Sequence, residues 1–167
     1  QNVPSVNLLG TQDLAYSLLG VNTEREPFND PRVRRAINLA INREEIVDAV
    51  YFGNAAIGGV LSPGLPTWEV DVEAFDCYRH DPQAAQALLE EEGASDLEME
   101  LLSFGTIRVV SDLAQVLQAQ LADAGIEAEV NIEEFGNFVQ RWRNSDFDAF
   151  VSLNGGSTDP DDYLHRT

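Results

Sequence analysis

The 167 residues carry 29 acidic side chains against 10 basic ones, a formal net charge of −19, and such a surface repels polyanions, which excludes a nucleic-acid role that needs a basic face. Hydrophobic residues make up 44% and charged residues 23%, ordinary values for one globular domain that exclude a disordered or fibrous chain. Charges interrupt every apolar run before the roughly 18 residues a membrane span needs, and the single Cys77 excludes an internal disulfide and has no CxxC or His-rich neighbourhood for zinc.

Residues 14–21 (LAYSLLGV) form a short, mostly apolar run that predicts a buried strand. After a loop, NDPRVRRAINLAI places Asp30 as an N-cap and Pro31 at the first helical position, with Val33, Ile37, Ala40 and Ile41 at helical spacing. A second helix follows at once: Asn42 stands three residues before Glu45, a capping-box spacing, and Ile46, Val47 and Val50 form its apolar stripe. A long connection rich in Gly and Pro then runs to about Tyr78, with Trp68 and Phe75 expected to anchor it on the core.

HDPQAAQALLEEEGA repeats the same design, with Asp81 as cap, Pro82 at the first helical position and Gly93 as a left-handed stop. Residues 97–102 alternate apolar and acidic side chains as a half-buried strand does. A helix is predicted over 109–124, carrying Leu113, Val116, Leu117 and Leu121, with Gly125 ending it. Ile126, Ala128, Val130 and Ile132 give one face of the next strand, and 135–143 a short helix. In DFDAFVSL, Phe147, Ala149 and Val151 are expected on one face, with Phe150 and Leu153 on the other. Strand and helix alternate, which predicts an α/β fold with parallel pairs whose ligands bind beyond the carboxyl ends of strands. Two loops meet that condition, 103–108 (SFGTIR) and 154–159 (NGGSTD).

All ten basic residues are Arg and none is Lys. The acidic excess suits a high-salt environment, where screening relieves self-repulsion; a GC-rich genome that favours Arg codons accounts for the missing Lys equally well. Under the first reading the melting temperature rises from dilute buffer to molar KCl. A flat melting profile across that range leaves the second.

The string FNDPRVRRAINLAINREEIVDAVYFG resembles the signature segment of family 5 extracytoplasmic solute-binding proteins, the dipeptide, oligopeptide and nickel binders that feed ABC transporters. A helix like YRHDPQAAQALLEEEGA, a helix and strand like LAQVLQAQLADAGIEAEV, a strand like FDAFV and a Gly-rich turn before DPDDYL follow in the family's order. The resemblance covers residue 16 to the end. It implies one lobe, the C-terminal one, of a periplasmic-binding-protein-like type II fold with a mixed sheet flanked by helices. Residues 1–167 are then a single lobe, 1–22 its hinge-proximal entry strand and 154–167 the start of the return toward a partner lobe absent here. The abrupt opening on QNVPSVNLLG and the stop at DDYLHRT fit an excised piece of a longer protein. The resemblance further implies a peptide or other small-solute ligand, a membrane permease as partner, no cofactor, and a location outside the cytoplasm, with a lipid anchor on the full-length protein.

Peptide binders of the family often carry an Asp in the Gly-rich turn that pairs with the ligand's amino terminus; the matching position here is Gly156. That departure leaves a nickel complex, a sugar or another small solute open beside a peptide. Asn154, Gly155, Gly156 and Ser157, with Asp159 after them, are candidates to face a ligand through backbone N–H groups and small polar side chains; an ordinary strand-to-helix turn is the plainer reading. On the other loop, Phe104 is a candidate wall, Thr106 a polar contact and Arg108 a partner for a ligand carboxylate, or else for a surface acid.

Asp159, Asp161 and Asp162 cluster as cation ligands do, but a cap at Asp159, Pro160 at the first helical position and two acids at the positive end of the dipole explain them without a metal. Arg32, Arg34 and Arg35 are expected to pair with neighbouring acids. His80 and His165 have no Ser or Cys at motif spacing, so no catalytic triad is expected and the chain is not read as an enzyme. Two rival readings are a small hydrolase using Asp159 and Asp162 as a carboxylate pair and an interaction domain with an extended apolar patch.

Overall fold

One short apolar run, period-two patterning in three further segments and period-3.6 patterning between them build one sheet with helices on both faces. The structure, a computed structural model, describes residues 10–68 and 70–164. Its strands are β1 (Tyr16–Val21), β2 (Glu98–Phe104), β3 (Glu127–Glu133) and β4 (Ala149–Asn154), in the spatial order β1-β4-β2-β3. β1 runs antiparallel to β4, whereas β2 is parallel to both β3 and β4. The sheet is therefore mixed, as expected.

The helices are α1 (Pro31–Ala40), α2 (Arg43–Tyr51), α3 (Pro82–Glu91), α4 (Arg108–Asp123), α5 (Phe135–Arg143) and α6 (Pro160–Leu164); α1, α2, α3 and α6 start at the capping residues, whereas α4 and α5 begin without a side-chain cap bond. The Asp30 carboxylate accepts the Arg32 amide at 2.7 Å and that of Asp81 accepts the Ala84 amide at 2.9 Å. Each satisfies a donor the first turn leaves unpaired. Gly93, at φ +69°, ends α3 in the left-handed region.

Register decides which side chains meet which helix. Leu101 lies opposite Val130 and Ala149, and Leu102 opposite Phe150. Met99, Leu101, Ala149 and Val151 thus share one face and pack beneath Val110, Leu113, Leu117 and Leu121 of α4. Phe104 and Phe150 share the other face and meet Phe138 of α5, with ring centroids 4.8 Å and 6.3 Å away. Leu153 has the parity of Val151 and shares its face, not that of Phe150 as the apolar count suggested; it is exposed at the end of the strand.

Three further expectations need correction. Trp68 and Phe75 do not anchor the long connection; they are 54% and 50% exposed. The connection is held instead by the Arg43 guanidinium, 4.6 Å from the Tyr78 ring centroid, and by the Asp81 amide on the Leu39 carbonyl at 2.8 Å. The spacing of Asn42 and Glu45 does not close a reciprocal capping box. Asn42 accepts the Glu45 amide at 3.1 Å, but its own N–H goes to Gln120 Oε1 of α4 at 3.1 Å. Of the clustered arginines, Arg32 bridges to Glu91 and Glu92, while Arg34 donates to the carbonyls of Phe28 and Asn29 rather than to an acid.

Candidate functional site

The chain leaves β2 through α4 to β3 on one side, then returns through α5 to β4 on the other side of β2. The strand order therefore reverses between β2 and β4. In an open α/β sheet the loops that leave such a pair diverge, one above each face, and leave a crevice at the carboxyl edge. The loops in question are 105–107 after β2 and 155–159 after β4. These are the two segments that the sequence marked.

On the β2 side, Phe104 is not a wall. It is 2% exposed because α5 returns over it, with Phe135 and Phe138 edge-on to its ring at 5.1 Å and 4.8 Å. Phe135, half exposed at the start of α5, presents the aromatic surface at this edge, together with exposed Ile107 and Ile132. Thr106 is exposed. Arg108 opens α4 with its side chain 91% exposed and its Nε 3.2 Å from Asp112 one turn on, a surface pair that costs little to exchange for another carboxylate.

On the β4 side the turn is built against the entry of β1. Asn154 Nδ2 donates to the Tyr16 hydroxyl at 3.0 Å. Gly156 lies so close to the Leu14 backbone that a Cβ would overlap its carbonyl, so this backbone has no room for the acidic side chain that the resemblance places there. Gly155 is open, with nothing within 4 Å of a would-be Cβ. Ser157 Oγ donates to Asp162 at 2.6 Å and accepts the Asp159 amide at 3.2 Å. Tyr16, Asn154, Gly156, Ser157, Asp162 and Tyr163 close on one another around a crease too small for a water molecule.

The acids after this turn act locally. Asp159 Oδ1 accepts the Asp161 amide at 3.0 Å, the role of a cap. Among the described residues no three His, Cys, Asp or Glu side chains converge as metal ligands. His165 lies outside the described residues. Tyr16, Tyr163 and Phe135 were missed in the sequence because each matters through a neighbour far along the chain.

Beneath the edge, on the α5 face, Arg141 makes a bidentate pair with Glu100 of β2 at 2.6 Å and 3.0 Å and reaches Glu133 at 3.3 Å. Hydrogen bonding to the Arg141 guanidinium, helped by Asn131 at 2.7 Å, holds the Glu100 carboxyl below the ordinary glutamate range despite opposing desolvation. The same pairing raises Arg141 above its ordinary value. A depressed carboxyl stabilises the fold at pH values above its unfolded pKa, and that stabilisation is lost as pH falls through the folded one. Glu100→Gln should therefore destabilise the protein by about 1–2 kcal/mol at pH 7 and by much less at pH 3, read from urea midpoints at each pH. An equal loss at both would remove the ion pair as its cause.

Residues 1–167 match the family described as bacterial extracellular solute-binding proteins, family 5 Middle. The probable di/tripeptide-binding protein 5 of Pseudomonas aeruginosa is 35% identical over 96% of this chain and 31% of its own length. Among solved structures, HbpA2 from Haemophilus parasuis superposes with a TM-score of 0.84 at 28% identity, over 96% of this chain and 32% of that one. DppA from Helicobacter pylori, in complex with the peptide STSA, superposes at 0.81 with 26% identity, over 92% and 30%. The chain thus spans about a third of the length of these relatives, and the neighbours share its mixed sheet flanked by helices.

Proposed function

The chain belongs to family 5 of the bacterial extracellular solute-binding proteins, and from that premise we propose that it is one lobe of the solute-receiving component of an ABC importer, whose ligand is a dipeptide or oligopeptide. The observation that supports this reading is the reversal of strand order between β2 and β4, because in open α/β sheets the loops leaving such a pair, here 105–107 and 154–157, border the ligand crevice. A second lobe closing over this edge would complete the pocket. Phe135, Ile107 and Ile132 supply apolar surface for side chains, and the open Gly155 lets a ligand approach the backbone. Thr106, Arg108, Asn154, Ser157 and Asp159 supply the polar groups nearby. Residues 1–22 are the entry from the hinge and 154–167 the start of the return to the other lobe.

On this reading the full-length protein works outside the cytoplasm, held by a lipid anchor, and hands its ligand to a membrane permease without chemical change. The test uses the full-length protein, titrated with dialanine, trialanine, a nickel–histidine complex and maltose, with thermal shift and calorimetry as readouts. Peptide binding should stabilise it by about 2.7 kcal/mol at a hundred times Kd, and the peptide should be recovered intact. Release of free alanine would favour the carboxylate-pair hydrolase instead. A response to the nickel complex or the sugar alone would keep the lobe assignment and replace the ligand.

A further inference from the structure

Tyr163 is 2% exposed and so lies out of a ligand's reach, yet its hydroxyl sits where the two halves of the β4 side meet. It accepts the Ser157 amide at 3.1 Å and donates to the Leu14 carbonyl at 3.2 Å. Its ring stacks on Tyr16 at 5.3 Å and 29°, and the Tyr16 hydroxyl in turn accepts from Asn154 Nδ2. The turn it grips is Gly155–Gly156, the pair of residues with the most backbone freedom to lose. Gly155 is exposed, with open space where a Cβ would stand, and Gly156 packs against the Leu14 backbone. We propose that Tyr163 is the positioning residue of this site: its hydroxyl pins the 154–157 turn to the entry of β1 and so sets the ligand affinity of the whole protein without touching the ligand. The inference rests on the turn being part of the ligand site, as argued above.

Removing the hydroxyl leaves the Ser157 N–H without that acceptor and the Leu14 carbonyl without that donor, while the ring keeps its packing on Tyr16. Losing a pre-set turn geometry raises the ordering cost of binding. The test is Tyr163→Phe in the full-length protein, with three readouts: amide hydrogen exchange of the ligand-free protein, calorimetric affinity for trialanine, and melting temperature. The expected result is that the Ser157 amide exchanges at least tenfold faster while the amides of α4 do not change, and that trialanine binds about tenfold more weakly, the equivalent of one hydrogen bond's net contribution. A purely structural role would instead raise exchange throughout the lobe and lower the melting temperature in proportion. Unchanged Ser157 exchange, or equal trialanine affinity in both proteins, overturns the proposal. A wild-type protein that binds none of the peptide probes overturns the functional reading instead, and Ser157 exchange then decides whether the hydroxyl holds the turn.

Discussion

Phe138→Ala is expected to cost the protein about 3–5 kcal/mol, read as a fall in the urea midpoint. Phe138 is the buried residue of α5, and its ring meets Phe104, Phe135 and Phe150, with Phe104 and Phe150 edge-on. Truncating it removes the side chain that joins this helix to β2 and β4, and the surrounding rings are too large to collapse into the space. The Arg141–Glu100 pair would remain, but an ion pair a quarter exposed cannot replace an aromatic anchor. Trp142→Ala makes the control: its ring touches the edge of the same cluster at Phe150 but is half exposed, so its loss should cost about 1 kcal/mol. Equal effects of the two substitutions would mean that α5 is not held by Phe138.

Gln120→Leu is expected to cost about 2–4 kcal/mol, although it puts an apolar side chain of similar size into a buried position. Gln120 Oε1 accepts the Asn42 amide, and its Nε2 donates to the Asn42 carbonyl at 3.1 Å and to Glu45 at 2.9 Å. One side-chain amide thereby satisfies both backbone groups at the junction of α1 and α2, as a neighbouring strand would. Leucine leaves the half-buried Asn42 amide without this acceptor and its carbonyl with the Ile46 N–H at 3.2 Å but not the side-chain donor. Gln118→Ala, which removes a single bond to the Ala128 carbonyl, should cost about 1 kcal/mol. A urea midpoint for Gln120→Leu at or above wild type would show that the Asn42 backbone groups find water or another partner.

These two substitutions also mark the line between what local sequence conveys and what it hides. The Asp-Pro pairs at 30–31, 81–82 and 159–160 each announce a helix start, because cap and fixed φ act within one turn. The residues 135–143 were assigned to α5 from periodicity alone, and alternation gave the sheet and hence the two loops at its edge. Partners distant in the chain were not legible. The spacing of Asn42 and Glu45 suggests a capping box because the competitor of Glu45, Gln120, comes 75 residues later. Phe104 looks like a ligand wall because nothing near it reveals that α5, some thirty residues on, folds back over that face. Hydrophobicity alone puts Trp68 and Phe75 in the core, but that rule runs one way, since much of any folded surface is still apolar. At the site, the Gly-rich turn was visible in the sequence, whereas the tyrosine behind it bonds to Leu14 across 149 positions.

That last contact also bears on how such a lobe is acquired. Leu14 stands just before β1 and Tyr163 in α6, and they are hydrogen-bonded; among the described residues the stretch from β1 to α6 thus begins and closes at a single spot. A domain of this kind can be spliced into a host loop, or exchanged for that of a homologue, with only one short seam to match. Recombination could then replace a unit of this kind while the protein around it is inherited unchanged.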